Sequence, residues 1–183
     1  QKLAEAVCDA CENVVVVLLC GSSVDLGDKV TNHAKAIIHA WYPGSLGGLA
    51  VARMLAGEFS PSGKLPVTIY NGNHDIPDFN DYSMKGRTYR YIDGDALYPF
   101  GFGLSYTKFE YSDFEVTNRT DDIITVSLKL KNTGSMKAKE ISQIYASYKD
   151  SRTYTPHFQL CGVKTTELEA GDELTEGSVN PHD

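Results

Sequence analysis

The stretch Gly86–Tyr106, GRTYRYIDGDALYPFGFGLSY, separates two different sequence patterns. Before it, continuous apolar runs alternate with segments of helical periodicity. After it, short segments alternate apolar and polar residues between turn signals. The first pattern is typical of an α/β domain with a mostly parallel sheet, and the second is typical of an antiparallel β-sandwich. We therefore predict two packed units, residues 1–105 and 106–183, joined by this aromatic segment.

The N-terminal part predicts three helices and three strands. The apolar run VVVVLLC has the length of a strand and fits burial on both faces of a parallel sheet. Ser45 is placed to cap the third helix and Gly57 to close it, while Pro66 suits an edge strand. Three strands are few for such a sheet, so we expect the C-terminal half of an α/β domain. In order, the predicted elements are helix Gln1–Cys11, strand Val14–Cys20, helix Asp28–Lys35, strand Ala36–Tyr42, helix Leu46–Ala56 and strand Leu65–Tyr70.

The C-terminal part predicts five strands. In Ile123–Lys131 the residues Ile124, Val126, Leu128 and Leu130 share one face, which is the period-2 pattern of a half-buried strand. An immunoglobulin-like sandwich has about seven strands, so one or two are expected to be missing. The predicted strands are Phe109–Val116, Ile123–Lys131, Glu140–Tyr148, Leu160–Leu168 and Leu174–Val179.

Composition limits the classes of partner. The chain has 183 residues, 42% of them hydrophobic, and a formal charge of −7, which argues against nucleic acid or an anionic membrane. It contains no 18-residue apolar run. The sequence begins in a helical pattern and without Met, so we interpret the chain as a fragment of a longer one. The four cysteines are too few for a disulfide scaffold. They weakly favour a bacterial cytoplasm, but they do not decide the compartment.

The long segment Asn71–Phe102 carries few periodic signals. Its aromatic residues indicate packing against another part of the protein rather than flexibility. Arg87 and Arg90, among these tyrosines, could bind sugar hydroxyls or hold the two units together, and we favour the second role. The aromatic residues are Tyr82, Tyr89, Tyr91, Tyr98 and Phe100.

Two glycine clusters invite a nucleotide interpretation. Gly44–Gly48 follows a strand and opens a helix, where backbone amides could bind phosphate. The spacing matches neither the dinucleotide fingerprint nor the P-loop, and close helix–strand packing explains these glycines equally well. Gly101–Gly103 precedes β-type sequence rather than a helix, so it also fails the fingerprint. We expect no cofactor.

Cysteines and histidines give no metal site by spacing. Cys8 and Cys11 have the spacing of a redox or zinc pair, but they lie on the apolar face of a helix and favour burial as small hydrophobes. His33 and His39 do not share a helix face. The remaining histidines, His74, His157 and His182, are isolated.

Acidic clusters could in principle supply the two carboxylates of a glycosidase. Their Asn, Gly and Pro neighbours are ordinary loop composition, and spacing alone names neither an acid nor a nucleophile. The sequence contains no G-x-S-x-G elbow. Asn118-Arg119-Thr120 is a formal glycosylation sequon that matters only in a secreted protein. The clustered acids are Asp75, Asp78, Asp81, Asp93 and Asp95.

Several motifs occur in the order found in one enzyme family. The chain resembles the C-terminal part of glycoside hydrolase family 3, and the 81–91 motif is closest to its β-xylosidase and β-glucosidase branch. Motifs near the C-terminus are similar to the fibronectin type III-like domain that ends many members. These motifs are Trp41–Gly44, Gly47-Gly48, Ser60–Thr68, Asp81–Tyr91, Tyr98–Tyr106, Thr155-Pro156, Gln159-Leu160-x-Gly162 and Leu168-x-Ala170-Gly171-Asp172.

The resemblance also implies what is absent. Members remove non-reducing-end sugars with retention, using an Asp nucleophile on an N-terminal (β/α)8 barrel and a Glu acid/base N-terminal to the part matched here. Gln1 aligns just after the family's Gly-Glu-x-x-Asp-Arg stretch, and the chain stops before the last sandwich strands. No Asp or Glu of this chain inherits a catalytic role, and no catalytic, cofactor or metal residue is predicted.

The resemblance therefore implies a non-catalytic C-terminal portion of a β-glucosidase or β-xylosidase. Its partners would be the barrel and, through the parent enzyme, a β-linked oligosaccharide. The alternative is a structural module that completes a separately encoded barrel or binds carbohydrate. Trp41 is the only tryptophan and ends a predicted buried strand, which makes carbohydrate binding the weaker form of that alternative.

Overall fold

A computed structural model describes residues 1–71, 77–120, 124–148 and 150–177. Within these ranges, no helix combines the length and apolar character needed to cross a membrane. The elements are α1 Lys2–Ala10, β1 Val15–Leu18, α2 Gly27–His33, β2 Ala36–His39, α3 Gly47–Leu55, α4 Thr88–Tyr91, β3 Phe109–Arg119, β4 Ile124–Asn132, β5 Ala138–Ala146, β6 Gln159–Leu168 and β7 Glu173–Gly177.

Helices and strands alternate in the N-terminal part, as predicted. β1 and β2 pair in parallel, and α1 packs against α2. Cys8, Val14 and Val30 form a small buried core between them. Burial of β1 on both faces was predicted wrongly: Val15 is 44% exposed, because only one face of this two-stranded sheet lies against the helices.

The third predicted strand, Leu65–Tyr70, is not formed. An isolated antiparallel bridge joins Ile69 to Tyr98, and the Leu65 amide donates to the Phe102 carbonyl at 2.8 Å. Pro66 and Pro99 have no amide hydrogen, so neither can donate to a continuous ladder between these two segments. The sequence thus predicted an extended backbone at 65–70. It did not predict that this segment would lack the regular hydrogen-bond ladder of a strand.

The N-terminal part pairs its strands in parallel, as predicted, but in the described residues this sheet has only β1 and β2. Most strand pairing in those residues is antiparallel, in the order β3-β4-β7 and the pair β5-β6, as predicted for the C-terminal part. The five C-terminal strands were predicted within a few residues of their observed ends, and the predicted end at Val179 lies outside the described residues. α4, a single turn, was not predicted.

The two antiparallel sheets face each other. Leu128 and Leu130 of β4 contact Leu168 of β6, and Phe109 of β3 packs against this cluster. These leucines alternate with the more exposed Lys129, so the period-2 pattern selects the face that is buried.

Asn132, which is completely buried at the end of β4, connects both sheets and the turn that follows. Its side-chain oxygen accepts from the Thr107 hydroxyl at 2.7 Å and from the Gly134 amide at 3.2 Å. Its amide nitrogen donates to the carbonyls of Met136 at 2.8 Å and Leu168 at 3.2 Å. One side chain therefore satisfies four groups on three segments.

Asn132→Asp should lower the free energy of unfolding by about 3 kcal/mol or more at neutral pH. The substitution keeps the shape but replaces two donors with a carboxylate that faces two buried carbonyls. Urea denaturation measures the change. Asn118→Asp, at an exposed position on β3, is the control and should leave stability unchanged. Equal stability of both variants would contradict this role for Asn132.

Candidate functional site

Tyr89 of α4 is the centre of an aromatic cluster that joins distant parts of the chain. Its ring stacks on Phe100 with centroids 4.2 Å apart. It also meets Tyr145 of β5 at 6.0 Å and Phe158 at 5.6 Å. The Tyr89 hydroxyl accepts from the Leu160 amide at 3.1 Å, 71 residues away in sequence. Tyr89 and Phe100 of the long segment are thus packed, as predicted, and Tyr91 and Tyr98 also contact other rings, whereas the prediction is wrong for Tyr82, which is 89% exposed.

The loop between β5 and β6 folds back over the same region. Tyr154 stacks on Tyr91 with centroids 5.2 Å apart. The His157 amide donates to the Arg90 carbonyl at 2.7 Å, and its imidazole lies 3.3 Å from the Asp93 carboxylate. This loop therefore extends the contact made by the Tyr89 cluster.

A buried ion pair forms a second connection between the two parts. Lys64 lies 3.0 Å from Glu140 of β5, and their side chains are only 16% and 10% exposed. Lys64 also donates to the Gly103 carbonyl at 3.2 Å. The Tyr111 hydroxyl donates to Glu140 at 2.9 Å. Burial raises the pKa of Tyr111, and the nearby Glu140 carboxylate adds to the effect.

The C-terminal end of Gly86–Tyr106 lies against residues 60–65. The Ser60 hydroxyl accepts from the Tyr106 amide at 2.9 Å and contacts the Ser105 hydroxyl at 2.8 Å. A Cβ on Gly103 would collide with the Gly63 carbonyl, so a residue with a side chain does not fit there. These contacts fix the path of the segment as it enters β3.

The two arginines of this segment act differently. The Arg87 guanidinium donates to the carbonyls of Pro77, Asp78 and Asp81 at 3.2, 2.8 and 2.8 Å. It holds the preceding loop and does not join the two parts, so the predicted role is wrong for Arg87. The guanidinium of Arg90 lies 5.9 Å from the Tyr89 ring, within the joining cluster, as the prediction for that residue required.

The clustered acids serve loop geometry. Asp78 accepts from the Asn80 amide and Asp81 from the Ser83 amide, each at 2.8 Å. The hydrogen bond from the Ser83 amide lowers the pKa of Asp81. Asp93 faces His157, and Asp75 lies outside the described residues. The structure does not bring these three described carboxylates together as a catalytic pair.

The candidate metal ligands are also dispersed. Cys8 is buried as predicted, but Cys11 is exposed, because it lies at the end of α1 beyond the apolar face. His33 contacts the Cys11 carbonyl at 2.8 Å, and His39 contacts the Ser22 carbonyl at 3.2 Å. His74 and His182 fall outside the described ranges. Across those ranges, no three His, Cys, Asp or Glu side chains are grouped as metal ligands.

The glycines before α3 have a conformational explanation. Gly44 has a positive φ of 72°, and a Cβ on Gly47 would collide with the Pro43 ring. α3 begins after Leu46 without a side-chain cap, so the prediction that Ser45 caps it is wrong. The tight turn rather than helix–strand packing requires Gly47. Gly57, with φ of 78°, closes the helix as predicted.

Residues 1–106 match the model of the glycosyl hydrolase family 3 C-terminal domain. The chain belongs to glycosyl hydrolase family 3. It is 45% identical to the xylan 1,4-beta-xylosidase of Xylanibacter ruminicola over 96% of its length, which is 20% of that enzyme. It is 39% identical to the thermostable beta-glucosidase B of Acetivibrio thermocellus over 96% of its length, which is 25% of that enzyme.

Solved family 3 structures share the fold. The beta-glucosidase of Bifidobacterium adolescentis superposes with a TM-score of 0.87 at 31% identity, covering 97% of this chain and 28% of that one. The chain therefore spans about a quarter of the family 3 proteins that it matches.

Sequence reasoning missed the Lys64–Glu140 pair. The sequence did contain a signal, because the polar residues Glu140 and Ser142 occupy alternate positions of β5. The structure shows that both are buried. Polar residues on the inward face of a strand indicate a specific partner. The identity of that partner, on a segment far away in sequence, could not be inferred from the pattern.

Tyr89→Ala should destabilise the chain by about 3 kcal/mol, because it removes the ring shared by three segments. Tyr89→Phe should cost about 1 kcal/mol, because only the acceptor for the Leu160 amide is lost. Denaturant unfolding measures both. Tyr82→Ala is the matched control, since that ring is 89% exposed, and should change nothing. A similar loss in all three variants would contradict the joining role.

Lys64→Met should cost about 3 kcal/mol by leaving Glu140 buried without its cation. The double variant Lys64→Met/Glu140→Gln should recover most of that loss, because no unpaired charge remains. Thermal and urea unfolding of both variants measure this coupling. Arg53→Met breaks an exposed pair with Glu58 and should leave the melting temperature unchanged. Equal stability of single and double variants would exclude energetic coupling.

Proposed function

We propose that this chain is the C-terminal, non-catalytic portion of a retaining β-glycosidase of family 3. The parent enzyme would hydrolyse β-glucosides or β-xylosides. The observation that carries the proposal is the match of residues 1–106 to the family's C-terminal domain by a chain that spans only 20% and 25% of two relatives. Those relatives are named as a β-xylosidase and a β-glucosidase.

The chain would comprise two units within that enzyme. Residues 1–105 would be the C-terminal half of the α/β sandwich domain with its aromatic linking segment. Residues 106–183 would be a fibronectin type III-like domain. The change from parallel pairing in β1-β2 to two facing antiparallel sheets supports this division. The Tyr89 cluster and the Lys64–Glu140 pair would hold the two units together.

The catalytic groups would come from other parts of the parent enzyme, the barrel above all. Retaining hydrolysis needs two carboxyl groups about 5–5.5 Å apart across a sugar pocket. Here Glu140 is engaged by Lys64 and Tyr111, while Asp78 and Asp81 accept backbone amides of their own loop. Their existing contacts support structural roles rather than glycoside cleavage.

A second candidate is a module that completes a separately encoded barrel. The apolar exposure of the N-terminal sheet favours it, since Val15 is 44% and Leu19 62% exposed. Such a surface is suited to contact with further protein. In both candidates the chain supports catalysis that takes place elsewhere.

The first proposal is tested with a chimera. In this chimera, the chain replaces the region of the Xylanibacter ruminicola relative with which it aligns, over 176 residues. The chimera should hydrolyse an aryl β-xyloside, because the catalytic part is retained and the exchanged region is 45% identical. The purified chain alone should not exceed a heat-inactivated sample on aryl β-xyloside or aryl β-glucoside.

Two results would count against it. Turnover by the chain alone would place catalytic groups within these residues. A folded but inactive chimera would indicate that the chain does not serve the same role as its relative. The second candidate is tested by mixing the chain with the separately produced N-terminal part of the relative. It requires that the two chains form a complex and that activity is restored.

A further inference from the structure

A cleft opens between β3 and β5, beside Lys64 and Gly101. Its volume is about 600 Å³, within the range of about 300–1,000 Å³ typical of small-molecule sites. It is separate from the Tyr89 stacking contacts, apart from Tyr145 on its border. The clustered acids do not contribute to it, whereas Gly101 of the second glycine cluster does.

The floor of the cleft carries polar side chains among apolar ones such as Leu128, where the inside of a β-sandwich is ordinarily apolar. Glu140 and Ser142, 7% and 3% exposed, point inward from β5. The Ser142 hydroxyl donates to the Tyr111 hydroxyl at 3.4 Å. Lys64 and Tyr111 both contact Oε1 of Glu140.

Each carboxylate of the cleft lining is paired with a lysine. Glu140 lies 3.0 Å from Lys64, and Asp113 lies 2.7 Å from Lys129. An ionic ligand would have to compete with these pairs for its counter-charge.

The Tyr111 hydroxyl donates to Glu140 and accepts from Ser142, and Oε1 of Gln143 accepts from the Tyr145 hydroxyl at 2.7 Å. A ligand would use the remaining acceptor capacity of these oxygens and the Gln143 amide hydrogens. This combination suits a neutral ligand with adjacent hydroxyl groups.

The rim is aromatic and is shaped by an irregular strand. Phe114 is 61% exposed and Tyr111 48% exposed, and both line the cleft. The pairing of β3 with β4 shifts between Ser112 and Glu115, and Asp113 has a positive φ of 49°. Such bulges re-aim side chains and are frequent beside functional sites. Here the bulge directs Phe114 to the cleft.

We propose that this cleft is a carbohydrate-binding site for a single neutral pyranose ring. The apolar face of the sugar would lie on Phe114, and its hydroxyls would bond to Glu140, Ser142 and Gln143. This site would not be catalytic, because Glu140 is held by Lys64 and Tyr111, and Asp113 is paired with Lys129. The proposal depends on the chemistry of the cleft and not on the glycosidase activity of the parent enzyme.

The test uses the full chain, isotope-labelled, titrated with methyl β-D-xylopyranoside and methyl β-D-glucopyranoside. Saturable NMR shifts are expected at the amides of 111–114 and 140–144, with affinity in the millimolar range. Phe114→Ala should weaken binding about tenfold or more without changing the melting temperature, because this ring is largely exposed. Tyr111→Phe keeps the ring and should weaken binding through the lost hydroxyl.

Phe79→Ala is the matched control, since Phe79 is 89% exposed and lies outside the cleft lining. It should bind both glycosides like the unmodified chain. Glucuronate should bind more weakly than the neutral glycosides. The proposal is overturned if neither glycoside gives saturable shifts, if the shifts lie outside 111–114 and 140–144, or if Phe114→Ala binds as tightly as Phe79→Ala.

Discussion

The stack of Tyr89 on Phe100 is the contact on which the arrangement of this chain depends. It joins α4, the end of the long aromatic segment and, through Tyr145 and Phe158, the β5-β6 hairpin. Bringing such distant segments together costs chain entropy, which local hydrogen bonds cannot offset alone. Aromatic rings offset it efficiently, because each buries a large area with few rotatable bonds.

Polar contacts then fix the geometry that the rings permit. Buried ion pairs contribute little net stability, because desolvation opposes the attraction, but they penalise any arrangement that separates the partners. Lys64 and Glu140 impose that condition between residues 60–65 and β5. Asn132 imposes a similar one between the two antiparallel sheets, since its four hydrogen bonds reach Thr107 before β3, the turn after β4 and Leu168 of β6.

These constraints agree with the proposal that the chain is a non-catalytic portion of a family 3 glycosidase. Glu140 is held by a lysine and a tyrosine, Asp78 and Asp81 accept from loop amides, and the Tyr89 cluster joins segments. The cleft beside β3 differs, because its aromatic rim stays exposed above a charge-balanced polar floor. A sugar site there would give the non-catalytic part a direct contact with carbohydrate.

The sequence alone determined the local elements and the family. α1 and β4 were predicted within two residues of their ends, because helix and strand periodicity record which face is buried. Long-range pairing was decided only by the tertiary structure. Leu65–Tyr70 is extended but unpaired as a strand, because its neighbour lacks a continuous set of donors. Arg87, Lys64 and Glu140 likewise acquired their roles from segments that only folding brings together.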